Sequence, residues 1–342
     1  MPQPTFQEVH VNAPLSSISV AYLQSDNDYI ADKVFPVVPV QKASNIYFVY
    51  NRGDWFRDEA QVRVDGSEST GSGYNLTQNT YSCRVYALHY DVGPMVRENS
   101  DTPLSADTDA TLFLTQRLAI SRERAFLGKF FTTGLWTGST TGTDITPSTE
   151  WGDANSTPIE DIEAQQFNIK STTGFWPNRF VLGATVYQAL KNHDEFLQRI
   201  KYTEKGVVTT DIMASILAPP NQPEASDGGA FKIFVSSAVY NSAHEGAADT
   251  MGFAATAGDA LLTYSAPNPG IRTPSAGYIF TWTPIAGYLA TIKQIQMPWL
   301  GTSADGTPTT RIEAEMSYDT NLVAADMGCY FSGASDADAM VE

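Results

Sequence analysis

Apolar positions are spaced in two ways along this chain, and the change between them marks out one long element. From Asp101 to Thr133, DTPLSADTDATLFLTQRLAISRERAFLGKFFTT, they recur at sevens. Leu112, Ala119 and Phe126 fall on one line, and Phe113, Ile120 and Leu127 on the next. That spacing predicts an amphipathic helix with Arg117, Arg122, Glu123 and Arg124 mostly off the apolar stripe. Pro103 suits a first helical position, Ser105 can cap, and Asp107 and Asp109 suit the positive end of the dipole. A helix from Ser105 to Phe131 is roughly 40 Å long at 1.5 Å per residue, over twice the usual length. The rest of the chain reads as strands, loops and shorter helices, so this rod is expected to be the spine of an extended α+β subunit.

Before the spine, the apolar runs Leu15 to Leu23 and Ile30 to Val40 lack helical periodicity, and Pro36 and Pro39 favour an extended path. The segment is expected to be an arm lying along another surface; an ordinary strand packed in its own domain is the alternative. IYFVY (46–50) and YSCRVYALHYDV (81–92) read as two strand-like halves around a Gly/Ser tip, VDGSESTGSGYN (64–75). Together they predict a long hairpin. On its flank, NRGDWFRDEAQVR (51–63) alternates charge around Trp55 and Phe56, a strip suited to a neighbouring subunit with ion pairs fixing register.

After the spine, Thr157-Pro158-Ile159-Glu160 has capping-box spacing and opens a second helix, with Ile162 and Phe167 on its apolar face. RFVLG (179–183) reads as a buried strand leading into a third helix from about Thr185 to Ile200, where Val186, Leu190, Phe196, Leu197 and Ile200 share a face. A short helix covers Asp211 to Leu217. Strand candidates follow at 231–240, 259–265 and 277–283. RIEAEMSY (311–318) alternates cleanly, and LVAADMGCYF (322–331) reads as a further apolar strand.

Composition narrows the function classes. Apolar residues make up 42% of the 342 and charged residues only 17%, which points to a surface that faces other protein. A net charge of −17 with no Lys/Arg cluster argues against tight nucleic-acid binding. Cys83 and Cys329 form no disulfide framework, so synthesis in a reducing compartment is expected. The start MPQPTFQEVHVN lacks a signal-peptide pattern, and no run of 18 apolar residues marks a membrane span.

Candidate chemistry is sparse. His10, His89, His193 and His244 have no partners at metal-ligand spacing, and His193-Asp194-Glu195 is expected on the solvated side of a helix. No nucleophile elbow or phosphate-binding Gly loop is present. Asp54, Asp58 and Glu59 could pair as glycosidase carboxylates, but Arg52 and Arg57 between them make mutual neutralisation the plainer reading. No catalytic residue, cofactor or metal is assigned.

The order of elements resembles a known plan. ADKVFPVVPVQ (31–41), YFVYNRGDWFRDEA (47–60), VLGATVYQALKNHDEFLQRIKYT (181–203) and SYDTNLVAADMGCYF (317–331) are similar to stretches of tailed-phage major capsid proteins. Their HK-ninety-seven-type fold is shared with herpesvirus capsid floors and encapsulins. The resemblance implies an N-terminal arm (1–45), an extended β-hairpin loop (46–92), a peripheral domain with the spine helix (93–154), an axial domain (155–297) and returning peripheral strands (298–342). It further implies hexamers and pentamers of one chain in an icosahedral shell around double-stranded DNA, assembled in a bacterial cytoplasm. A portal, a separate scaffolding protein and a decoration protein are the implied partners. Loop-based isopeptide cross-linking is not expected, because no Lys stands between Lys42 and Lys129. Inter-subunit contacts are expected from Val34, Phe35 and Val37 of the arm, and from Arg52, Asp54, Trp55, Phe56, Arg57, Asp58 and Glu59 of the loop. An encapsulin-like compartment and a carbohydrate-active β protein are the alternatives.

Overall fold

The computed structural model describes residues 23–100, 105–201, 208–220, 229–270, 272–302 and 308–335. The expectations for Leu15 to Tyr22 and for Pro103 fall outside them. Residues 31–35 form a turn, closed by the Lys33 N–H donating to the Ile30 carbonyl at 2.9 Å, and from Pro36 the chain runs extended as the prolines favour, with Val37–Val40 forming β1. The arm expectation is corrected here. Tyr29, Ile30, Ala31, Val34 and Phe35 are buried in the chain's own core, and Phe35 lies 4.7 Å from Phe130, ring centre to ring centre.

The predicted hairpin is also redrawn. Strand β2 (Ser44–Tyr50) pairs antiparallel with β3 (Leu76–Ser82), Ser44 opposite Ser82 and Tyr50 opposite Leu76. Between them α1 (Arg52–Trp55) is a single turn, capped by the Asn51 side chain accepting from the Gly53 N–H at 3.3 Å. The expected strand 81–92 breaks at Cys83, whose N–H donates to the Ala43 carbonyl at 2.7 Å. Beyond it β4 (Arg84–Val92) leaves the hairpin for another sheet. Alternation identified the strand but carried no information about its neighbour.

A short helix, α2 (Pro94–Glu98), leads to the spine, α3 (Ala106–Phe130). Its 25 residues span about 37 Å. The expected stripe is rotated: Ala110, Leu114, Leu118, Phe126, Leu127 and Phe130 are buried, together with Arg122 and Glu123, while Leu112 and Phe113 are exposed. The spine shares its core with β12 (Pro308–Leu322). As the alternation predicted, Ile312, Ala314, Met316 and Tyr318 are buried and Glu313 and Glu315 half-buried, but Ser317, expected outward with the two glutamates, is buried. β12 pairs antiparallel with β4, with β10 (Gly277–Trp282) and with β11 (Thr291–Thr302), which the sequence reading missed; β1 adds to β10 in parallel.

The second core gathers on a smaller sheet in the order β13, β9, β5, β6. Its members are β5 (Arg179–Gly183), β6 (Lys232–Ser236), β9 (Ala260–Thr263) and β13 (Gly328–Phe331). All five residues of β5 are buried, as befits an inner strand. The helices α4 (Pro158–Thr173), α5 (Ala184–Asn192), α6 (Asp194–Ile200) and α7 (Thr210–Leu217) bring Ile159, Ile162, Val186, Leu190, Phe196 and Met213 into this core. Phe167 is exposed, contrary to expectation. A small ribbon, β7 (Val239–Asn241) with β8 (Met251–Phe253), stands apart.

The expected third helix is two, broken at His193, and the expected strand 322–331 is a 3-10 turn (Ala325–Met327) followed by β13. The expected capping box is absent: the Ile159 N–H is satisfied by Glu195 Oε2 at 3.1 Å. The expected span 155–297 crosses a sheet boundary, because β10 and β11 join the spine's sheet while β13 joins the smaller one. Between the sheets, Gly328 packs so closely under Trp136 that a Cβ there would lie 2.2 Å from the indole ring. Only glycine fits.

Candidate assembly surface

At the base of the β2–β3 loop, Tyr50, Trp55 and Tyr74 form an aromatic triangle with ring centres 5.8 to 5.9 Å apart. Its large faces are not covered by the chain: Trp55 is 53% exposed and the neighbouring Phe56 65%. The Phe56 ring rests on Gly174, the left-handed C-cap of α4, where a Cβ would come within 3.0 Å of it. Farther out, Val62 is 96% exposed and Val64 also stands in solvent. Apolar side chains displayed together on a loop mark a surface that meets another molecule.

The charged strip resolves into pairs within the chain. Arg57 lies 3.4 Å from Asp54 and 3.9 Å from Glu59. Arg52 pairs with Asp326 at the turn before β13, and Asp54 Oδ2 also accepts the Asn75 N–H at 2.9 Å, closing the loop's neck. These contacts fix the base of the loop to its own subunit. Exposed pairs of this kind contribute about 0–1 kcal/mol each to stability, so shaping the loop is the larger effect.

Of the arm residues expected at contacts, Val34 and Phe35 are buried within the chain and Val37 is half-buried in the same core. Their burial removes Val34 and Phe35 as contact candidates. Tyr74 was missed, since one Tyr in a Gly/Ser tract carries no periodicity. Glu123 was missed as well. It accepts the N–H groups of Ile30 and Ala31 at 3.0 and 2.9 Å, and burial pushes its carboxyl up to about 7.

His193 is buried, which corrects its expected solvated placement. Its Nδ1 accepts the Glu195 N–H at 3.2 Å, capping α6. Nε2 then carries the proton and faces Ser156 Oγ at 3.1 Å and the Asp153 carbonyl at 3.2 Å. It is a satisfied structural histidine. Among the described residues no group of three or more His, Cys, Asp or Glu side chains could hold a metal, and no helix is long and apolar enough to cross a membrane.

Comparison with known proteins accords with this geometry. Residues 138–241 match the family described as phage major capsid protein E. The major capsid protein of Burkholderia phage BcepMu is 22% identical over 94% of this chain and 96% of its own length. A phage-related protein from Bordetella bronchiseptica RB50 superposes with a TM-score of 0.61 at 18% identity, covering 91% of this chain and 94% of that one. The capsid of cyanophage P-SCSP1u gives 0.55 at 10% identity, covering 95% and 93%. The fold is the HK-ninety-seven-type capsid fold. The chain is a phage major capsid protein, a structural protein of the head shell.

Proposed function

We propose that this protein closes into an icosahedral shell of hexamers and pentamers around double-stranded DNA in the bacterial cytoplasm, and that the β2–β3 loop clasps a neighbouring copy. The observation that carries this reading is the display of Trp55, Phe56, Val62 and Val64 on a loop braced at its neck. A two-stranded ribbon is marginal alone and gains stability when a partner covers its apolar side chains. Arg52, Asp54, Arg57, Asp58 and Glu59 set the charge complementarity of that contact. The net charge of −17 supports a lining that holds DNA without gripping it. A portal and a separate scaffolding protein serve the assembly of the shell. In this reading the spine's sheet is the peripheral unit, and the smaller sheet with α4–α7 the axial one.

Reversal of Arg57 to Glu tests the loop. Particle yield should fall while the circular dichroism and melting temperature of the soluble subunit stay unchanged. Equal loss of fold and particles would place the strip in the subunit's own stability instead.

A further inference from the structure

Glu123 sits on the core-facing side of the spine helix, 1% exposed, among side chains that are otherwise mostly apolar. One of its carboxyl oxygens receives both N–H groups at the start of the buried arm segment, from Ile30 at 3.0 Å and Ala31 at 2.9 Å. The same segment is tied from the opposite direction, because the Tyr288 hydroxyl donates to the Ala31 carbonyl at 3.0 Å. Arg122, also buried, stacks its guanidinium 5.0 Å from the Tyr288 ring centre. The groups around the carboxyl are therefore Tyr29 and Asp32 on the arm, Arg122 on the spine and Tyr288 on the segment before β11, with Tyr318 of β12 next to Tyr288 and Arg122. The second oxygen of Glu123 has no hydrogen-bond partner among the described residues.

An ionised carboxylate loses its hydration here. Two N–H donors and the nearby Arg122 offset part of that loss, while Asp32 adds to it. Burial is the largest cause and leaves the acid at about 7, against an ordinary 4.5. A neutral carboxyl still accepts both N–H bonds through its carbonyl oxygen and avoids the cost of a buried charge. The seated arm thus binds the proton more tightly than an arm lifted from the helix, where Glu123 is hydrated. Seating is fully favoured below the ordinary glutamate range, and that advantage is lost as pH rises through about 7.

We propose that Glu123 is a proton-dependent latch: its neutral carboxyl holds the segment Tyr29–Phe35 on the spine helix, and its ionisation loosens that segment. The latch gives the fold a built-in control over this buried segment.

Amide hydrogen exchange over Tyr29–Phe35, corrected for the intrinsic pH dependence of exchange, tests the latch. In the purified protein, protection of Ile30 and Ala31 should fall at least about tenfold between about pH 5 and about pH 8. Amides of β5 serve as the internal reference. Glu123→Gln keeps an acceptor oxygen but cannot ionise, so its protection should hardly change with pH. Wild-type protection that is flat over this range overturns the proposal, as does a Gln variant that loses protection in parallel. Should the Gln variant not fold, the wild-type profile decides alone: log protection that falls steadily from about 4.5 and levels off near 7 supports the latch, and a flat profile, or a fall that sets in only above 7, refutes it.

Discussion

Arg311 on β12 and Asp91 on β4 stand directly opposite in register and join through two parallel hydrogen bonds, Nε to Oδ1 at 2.7 Å and Nη2 to Oδ2 at 2.8 Å. The pair pins β4 to the spine's sheet at the point where the chain has left the hairpin. Its hydrogen bonds hold the Asp91 carboxyl below the ordinary aspartate value. The stabilisation is therefore present above the ordinary aspartate range and lost as pH falls through the lowered value. Asp91→Asn should melt below the wild type at neutral pH, with the gap closing as the solution is acidified below the ordinary aspartate range. A gap independent of pH would show that the charge of Asp91 contributes nothing.

Phe35 and Trp55 should behave oppositely. Phe35 is buried against Phe126, Phe130 and Trp136, so Phe35→Ala should cost about 3–5 kcal/mol in the denaturation of the soluble subunit. Among the described residues the Trp55 ring packs against Tyr50 and Tyr74, and it is half exposed, so Trp55→Ala should cost the subunit under about 1 kcal/mol. Its effect should appear as fewer particles.

Two glycines of opposite character give a paired test. An added methyl at Gly328 meets Trp136 at 2.2 Å, and both residues sit in the packed junction of the two sheets. Gly328→Ala should destabilise by about 1–3 kcal/mol or abolish soluble expression. Gly128 lies exposed within the spine helix with open space where a Cβ would go. Gly128→Ala should stabilise by about 0.5–1 kcal/mol in thermal unfolding.

The two thiols should be inert in the native protein. Both are free and buried, and burial pushes Cys83 up to about 11 and Cys329 up to about 12. Maleimide at neutral pH should label neither until the chain is denatured, when mass spectrometry should find both modified. Boiling particles in detergent and reductant should release monomers of 37.2 kDa. A ladder of larger species would reveal covalent links.

The spine was readable because its periodicity runs over many turns, and the rotated stripe has a physical cause. Leu112, Phe113 and Phe167 are apolar yet exposed in the subunit, so a pattern that counts every apolar residue as core points the helix slightly wrong. An assembling chain holds such side chains for its neighbours. The alternation of β12 was readable because one face is buried; the partner of β4 was not, because pairing is decided by residues more than two hundred positions away. The loop strip was visible from its charges and aromatics, whereas its pairing with Asp326 depends on where the chain returns. Glu123 was read as surface because its partners, the N–H groups of Ile30 and Ala31, lie 92 or more residues earlier. Only the folded chain brings a buried acid and two backbone donors together.

Electron microscopy of the purified protein, imaged with its natural partners and after expression alone, decides whether this chain builds a shell. Closed icosahedral particles of one repeating subunit are expected, DNA-filled when packaging partners are present, with the β2–β3 loop lying against an adjacent copy. Monodisperse single subunits under every condition, or small shells holding only protein cargo, would contradict that expectation.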